Sequence, residues 1–174
     1  MRMPTWRAAA AAASGLALLL SVACGYYHGT SRGRSLSGSV AVPFLENRTA
    51  QPDLELLATE ALSEALEADG GLRLVPRGQE DYLLTGSVVR YGEAPFSIGE
   101  AGSADEYKLT IALEMSFQRS ATGEFVWSDR RFTGSESFFV EGSAAGAELT
   151  RDRAEAKALE QIVDGVLNAV FGDW

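Results

Sequence analysis

The feature that most limits what this chain can fold into is the alternation across residues 106–120. Leu109, Ile111, Leu113, Met115 and Phe117 fall on one side of an extended chain, and Lys108, Thr110, Glu114, Ser116 and Gln118 fall on the other. Apolar–polar alternation with a period of two marks a strand buried on one face. Such a strand needs neighbours in a sheet and an apolar layer on one side. Ala121-Thr122-Gly123 then makes a hairpin turn, and residues 124–132 return antiparallel with Phe125 and Trp127 aimed at one face.

Two amphipathic helices supply the layer. Leu54, Leu57, Ala58, Ala61, Leu62, Ala65 and Leu66 recur at helical spacing as one apolar stripe. Pro52 suits the first turn, Asp53 and Glu55 complement the dipole there, and Gly70-Gly71 stops the helix. Glu60, Glu64 and Glu67 make its solvated back. A second helix is expected over residues 150–171, with Ala158, Leu159, Ile162, Val163, Val166, Leu167, Val170 and Phe171 as its stripe. Arg151, Asp152, Arg153, Glu155, Lys157 and Glu160 form a solvated opening to it.

Further strands are expected at residues 39–44, 72–75 and 82–91. In the first, Val40, Val42 and Phe44 share a face, and Pro43 marks a strand end or an edge. In the last, Leu84, Gly86 and Val88 oppose Leu83, Thr85, Ser87 and Val89. Residues 46–49 read as a loop, and residues 92–105 as a longer one of about 14 residues. Phe138, Phe139 and Val140 read as core filling. The order predicts an α+β fold: a two-layer α/β sandwich, with two amphipathic helices packed on a four- to five-stranded mixed sheet.

The N-terminus has a different character. Residues 1–7 carry two arginines and no acid, and residues 8–23 contain only Ala, Leu, Val, Ser and Gly. This is the pattern of a secretory signal peptide, shorter than the roughly 20 apolar residues of a membrane span. Cleavage after Ala23 makes Cys24 the first residue, as in a bacterial lipoprotein, whose thiol carries diacylglycerol and whose amine is acylated. Ser21 stands where such signals usually have Leu, and a secreted chain with a free thiol is the alternative. Gly25, not Asp, at the second mature position directs the chain to the outer membrane by the enterobacterial sorting rule. Residues 24–38, rich in Gly and Ser, read as a lipidated, flexible tether, and residues 39–174 as the folded domain.

Composition removes whole classes of chemistry. One cysteine cannot make an internal disulfide. With His28 as the sole histidine, no histidine-based metal site or triad can form. The only lysines, Lys108 and Lys157, lie on the polar faces of regular elements. No phosphate loop, dinucleotide fingerprint or nucleophile elbow occurs. The chain is therefore expected not to be an enzyme, with no catalytic residue, no metal and no cofactor besides the lipid on Cys24. Without Arg2 and Arg7 the charge is about −11, unsuited to general binding of nucleic acid or anionic membrane. An anionic ligand needs a local basic patch.

The motifs in order are Cys24-Gly25-Tyr26 with Gly29, the segment from Val40 to Phe44 followed by Asn47 and Thr49, and the helix from Leu54 to Leu66. After these come Tyr82-Leu83-Leu84-Thr85-Gly86, Glu106-Tyr107-Lys108-Leu109 and Thr122-Gly123-Glu124-Phe125-Val126-Trp127. Together they resemble the lipopolysaccharide-assembly lipoprotein family, LptE, across nearly the whole mature chain. The resemblance implies a lipoprotein seated in the lumen of a large outer-membrane β-barrel, the lipopolysaccharide translocon (LptD-type), as plug and assembly aid. It also implies lipopolysaccharide binding through basic residues of the sheet and loops. Arg130 and Arg131 occupy a comparable strand, with Arg90, Lys108 and Arg119 as further candidates. The alternative is a lipoprotein activator of a peptidoglycan synthase. Such activators have long proline-rich tethers, whereas this one spans at most roughly 45 Å.

Overall fold

The computed structural model describes residues 36–98, 104–139 and 150–172, which lie in one compact unit spanning residues 32–174. The expected signal peptide, Cys24, His28 and nearly all of the expected tether fall outside the described residues, as do residues 99–103, Val140 and residues 142–147. The elements are β1 (Gly38–Ala41), β2 (Glu46–Asn47), α1 (Leu54–Asp69), β3 (Leu72–Leu74), β4 (Tyr82–Ile98), β5 (Ala104–Arg119), β6 (Phe125–Phe139) and α2 (Arg151–Phe171). They form an α+β sandwich with two helices on one mixed sheet, as the residue pattern predicts.

The sheet order is β3-β1-β4-β5-β6, with β2 also paired to β4. β1 runs parallel to β3 and β4, and β4, β5 and β6 are antiparallel in succession. The sheet thus has six strands rather than four or five, because residues 46–49 are not simply a loop. Glu46 and Asn47 pair with Ser87 and Val88. Pro43 has no N–H to donate, so β1 stops at Ala41 and the period resets. Phe44, expected inward, is 62% exposed, while Leu45 is buried and donates its N–H to Thr59 Oγ1 at 3.1 Å.

The stretch read as a long loop, residues 92–105, is mostly strand. β4 pairs with β5 through Ile98↔Ala104, and register shifts around Pro95 absorb its missing N–H. Another irregularity follows Val88: Arg90 pairs with Ala112 and Tyr91 with Ile111. This bulge reverses the faces, sending Arg90 to the open side and Tyr91 to the helix side. A bulge at Val126 likewise separates Phe125 from Trp127, which the sequence places together. Trp127 lies opposite Phe117 in the core, while Phe125 lies opposite Gln118 and is 55% exposed.

Leu109, Ile111, Leu113, Met115 and Phe117 are all buried beneath the helices, as their alternation requires. The predicted stripe of α2 is buried in full, with Ala154 added. Thr150 caps this helix by accepting from the Arg153 N–H. The stripe of α1 is narrower than predicted: Leu54, Ala58, Leu62 and Leu66 are buried, but Leu57 is 42% exposed. α1 begins after Asp53, which has φ 65° and makes no side-chain cap, so Pro52 and Asp53 precede the helix rather than open it. Its end is as expected, with Gly70 at φ 66° donating to Leu66 O. Phe138 is buried and stacks on Tyr107 with ring centroids 5.8 Å apart, so it fills core.

α2 seats directly on the sheet at Gly134. A Cβ built there would lie 1.9 Å from the Ala158 carbonyl oxygen of the helix. Farther along, Trp127 Nε1 donates to Ala169 O at 3.2 Å, and its ring meets Phe117 and Phe132 at 5.7 and 5.9 Å. Gly134→Ala should therefore lift the helix and destabilise the domain by about 1–3 kcal/mol. Chemical denaturation measures this, and an unchanged midpoint would contradict the close seating.

Candidate functional site

A two-layer sandwich leaves one sheet face without a helical cover. The residues on it follow from the register and are mostly small and polar. Thr85 on β4, Thr110 and Ser116 on β5, and Thr133, Ser135 and Ser137 on β6 give a hydroxyl-rich surface, with Ser87 and Ala112 buried within it and Leu83 and Phe139 on the same face. The alternation that buries Leu109 and Phe117 places Lys108 and Glu114 here as well.

The five basic candidates divide between the two faces. Arg90, Lys108 and Arg131 lie on the open face; strand geometry sets neighbouring members roughly 10–14 Å apart. Arg131 sits 3.8 Å from Glu114, which offsets its charge. The sheet beside this pair is acidic: Glu46, Glu114 and Asp129 line a shallow depression of about 210 Å³ with Thr85, Ser87 and Ser116, and Arg48 there is held by Glu46 at 3.0 Å. Arg90 and Lys108 have no carboxylate partner among the described residues, and both are exposed. They are the open-face cations whose charge is least compensated.

Arg130 and Arg119 sit on the other side and are committed to aromatic rings. Arg130 lies over Trp127 at 5.5 Å and Arg119 over Tyr82 at 5.7 Å. Arg119 also faces a cleft of about 690 Å³ beside the start of β1, where Ser37, Glu80, Asp81 and Ser120 join it. Asp81 accepts from the Ser39 hydroxyl and N–H, both at 2.8 Å. Those bonds hold its carboxyl below the usual range, the hydroxyl contributing most. An anion in this cleft would meet carboxylates as well as Arg119. The candidates therefore do not converge on one basic patch.

The sequence reading missed a polar cluster that joins both layers. The Tyr91 hydroxyl lies 2.7 Å from Glu155 Oε1 and 2.8 Å from Glu93 Oε1, and it accepts from Arg151 Nε at 3.1 Å. Arg151 also bonds Glu93 at 2.6 Å and reaches Gln51, ahead of α1, at 3.5 Å. Arg151 and Glu155, expected to be solvated, instead fasten the first turn of α2 to β4. Their i,i+4 spacing was visible in sequence, but the bulge that turns Tyr91 inward was not.

Burial, then the bonds to Glu155 and Glu93, push the Tyr91 phenol well above its usual value. The folded state thus favours the neutral phenol. That stabilisation is complete below the unfolded value of about 10 and is lost as pH rises through the folded value. In an alkaline titration followed by phenolate absorbance, Tyr91→Phe should remove a step that lies above the ordinary tyrosine range. Loss of a step within the ordinary tyrosine range instead would mean the cluster does not form.

None of the curated proteins matches the chain. Among solved structures, the fold is similar to that of a hypothetical protein from Chlamydia trachomatis, at 11% identity over 79% of this chain and 97% of that one, with a TM-score of 0.57. It is also similar to a protein from Xanthomonas campestris, at 19% identity over 78% and 85% of the two chains, with a TM-score of 0.52. An uncharacterized lipoprotein B from Nitrosomonas europaea shares 12% identity over 78% and 86%, with a TM-score of 0.50. At such identities the likeness is one of fold. The family model described as LptE, lipopolysaccharide-assembly, matches residues 38–170, which takes in every strand and all but the end of α2. The chain belongs to the LptE lipopolysaccharide-assembly family.

Proposed function

We propose that this chain is a non-enzymatic outer-membrane lipoprotein that assembles with a large β-barrel lipopolysaccharide translocon of the LptD type, seats in its lumen and assists lipopolysaccharide transport. The family match over residues 38–170 carries this reading. Residues 1–23 act as the signal peptide, Cys24 bears the lipid, residues 24–38 tether it and residues 39–174 form the domain. Two or three acyl chains on Cys24 hold the protein stably, at about 0.8 kcal/mol for each buried methylene. A tether this short keeps the domain beside the membrane. The hydroxyl-rich open face suits a barrel interior, which is polar and wet.

In this reading lipopolysaccharide meets the protein through its phosphates, to which a guanidinium offers paired, charge-assisted bonds. Arg90 and Lys108 are the foremost contacts because no carboxylate among the described residues pairs with them. Arg131 is secondary because of Glu114, and Arg130 and Arg119 follow because aromatic rings occupy them.

Affinity capture from detergent-solubilised outer membrane tests the partnership. A stoichiometric large β-barrel protein is the expected companion, and a penicillin-binding synthase in its place would overturn the reading. Cys24→Ala should move the chain from the membrane to the soluble fraction. Full membrane retention would remove the lipid anchor from the account. Arg90→Glu with Lys108→Glu should weaken lipopolysaccharide binding by about tenfold or more with no change in melting temperature. Unchanged binding would exclude Arg90 and Lys108 as ligand contacts.

A further inference from the structure

β6 is one edge of the sheet and is 15 residues long, against about 5–6 for a typical strand. A long edge presents unpaired N–H and C=O groups in a row, a ready template for another strand. The opposite edge, β3, has three residues. A guard is therefore needed on β6.

One side chain of α2 reaches this edge. Gln161 Oε1 accepts the Ser135 N–H at 3.2 Å, and Gln161 Nε2 donates to Ser135 O at 3.1 Å. A carboxamide carries the same donor and acceptor as a peptide group. Two bonds to one residue reproduce what a neighbouring antiparallel strand would make there. The placement follows from Gly134, where the helix backbone lies against the strand at Ala158, one turn before Gln161. The register is unbroken between Arg130 and Phe139, so the backbone groups of Arg131, Thr133 and Ser137 point outward with those of Ser135.

We propose that Gln161 is an edge guard: its carboxamide fills the backbone slot at Ser135 and keeps β6 of a second copy of this chain from pairing there. Self-pairing is the hazard this sequence presents. An antiparallel β6–β6 pair centred on Ser135 would set Thr133 against Ser137, Gly134 against Glu136 and Arg131 against Phe139, so no like charges would lie directly opposite each other. Gln161 is exposed, so its replacement leaves the core intact.

The test uses the full chain in detergent micelles, with protein mass from light scattering across a concentration series and amide exchange on the same samples. The unaltered chain should be a monomer. Gln161→Ala should show a mass that doubles with concentration, with slower exchange from Arg131 to Ser137 in the dimer. Gln161→Met, which keeps the side-chain length and removes both bonds, should do the same. Adding Ser135→Pro deletes the outward N–H at a position where an edge tolerates proline, and should restore the monomer. Faster exchange at Ser135 in a chain that stays monomeric would overturn the proposal and leave Gln161 as a staple between α2 and β6. A dimer that survives Ser135→Pro, or a dimeric unaltered chain, would also overturn it.

Discussion

The sandwich depends on how closely α2 lies on the sheet, and Gly134 sets that distance. Any side chain there would meet the Ala158 carbonyl oxygen, so the helix rests on strand backbone. Seating at this depth lets Ala154, Ala158, Ile162 and Val166 reach the row from Leu109 to Phe117. A buried Leu or Ile contributes about 1.5–3 kcal/mol by leaving water, and each aromatic contact around Trp127 adds about 0.5–1.5 kcal/mol. A helix held off by even a methyl group would forfeit part of every one of these contacts.

The same seating fixes the ends of the molecule. The helices lie side by side: Arg151 reaches Gln51 at one end, and the Phe171 ring closes against Gly71 at the other. The Tyr91 cluster then fastens the start of α2 to β4. With the helices gathered on one face, the other stays open, and its chemistry is set by residues that the core leaves free. Paired charges occupy one part of it, at Glu46–Arg48 and Glu114–Arg131. Arg90 and Lys108 stand apart from those pairs.

Much of the architecture was legible because periodicity reports burial. The stripe of α2 and the alternation of β5 predicted their buried faces residue by residue, and Gly70 and Gly123 marked a helix end and a turn. Elsewhere long-range pairing overrides the local pattern. Residues 92–105 carry loop-like glycine and proline, yet β5 offers partners that draw most of them into strand. Bulges after Val88 and at Val126 flip the side chains beyond them, which no pattern of single residues announces. Among the ligand candidates, sequence identified the cations but not their neighbours. Arg130 and Arg131 stood first by position in a strand, and the folded chain gives one a tryptophan ring and the other a carboxylate.

By itself the sequence determined the class of fold, the covered face of the sheet and the family resemblance. These depend on composition and on local period, which a linear chain carries in full. Only the tertiary structure decided the sixth strand, the inward turn of Tyr91, the contact of Gln161 with the β6 edge and the division of the basic residues between two faces. Those depend on residues up to about a hundred positions apart, as Gln51 and Arg151 are. Their meeting is set by register and by the depth at which one helix can sit.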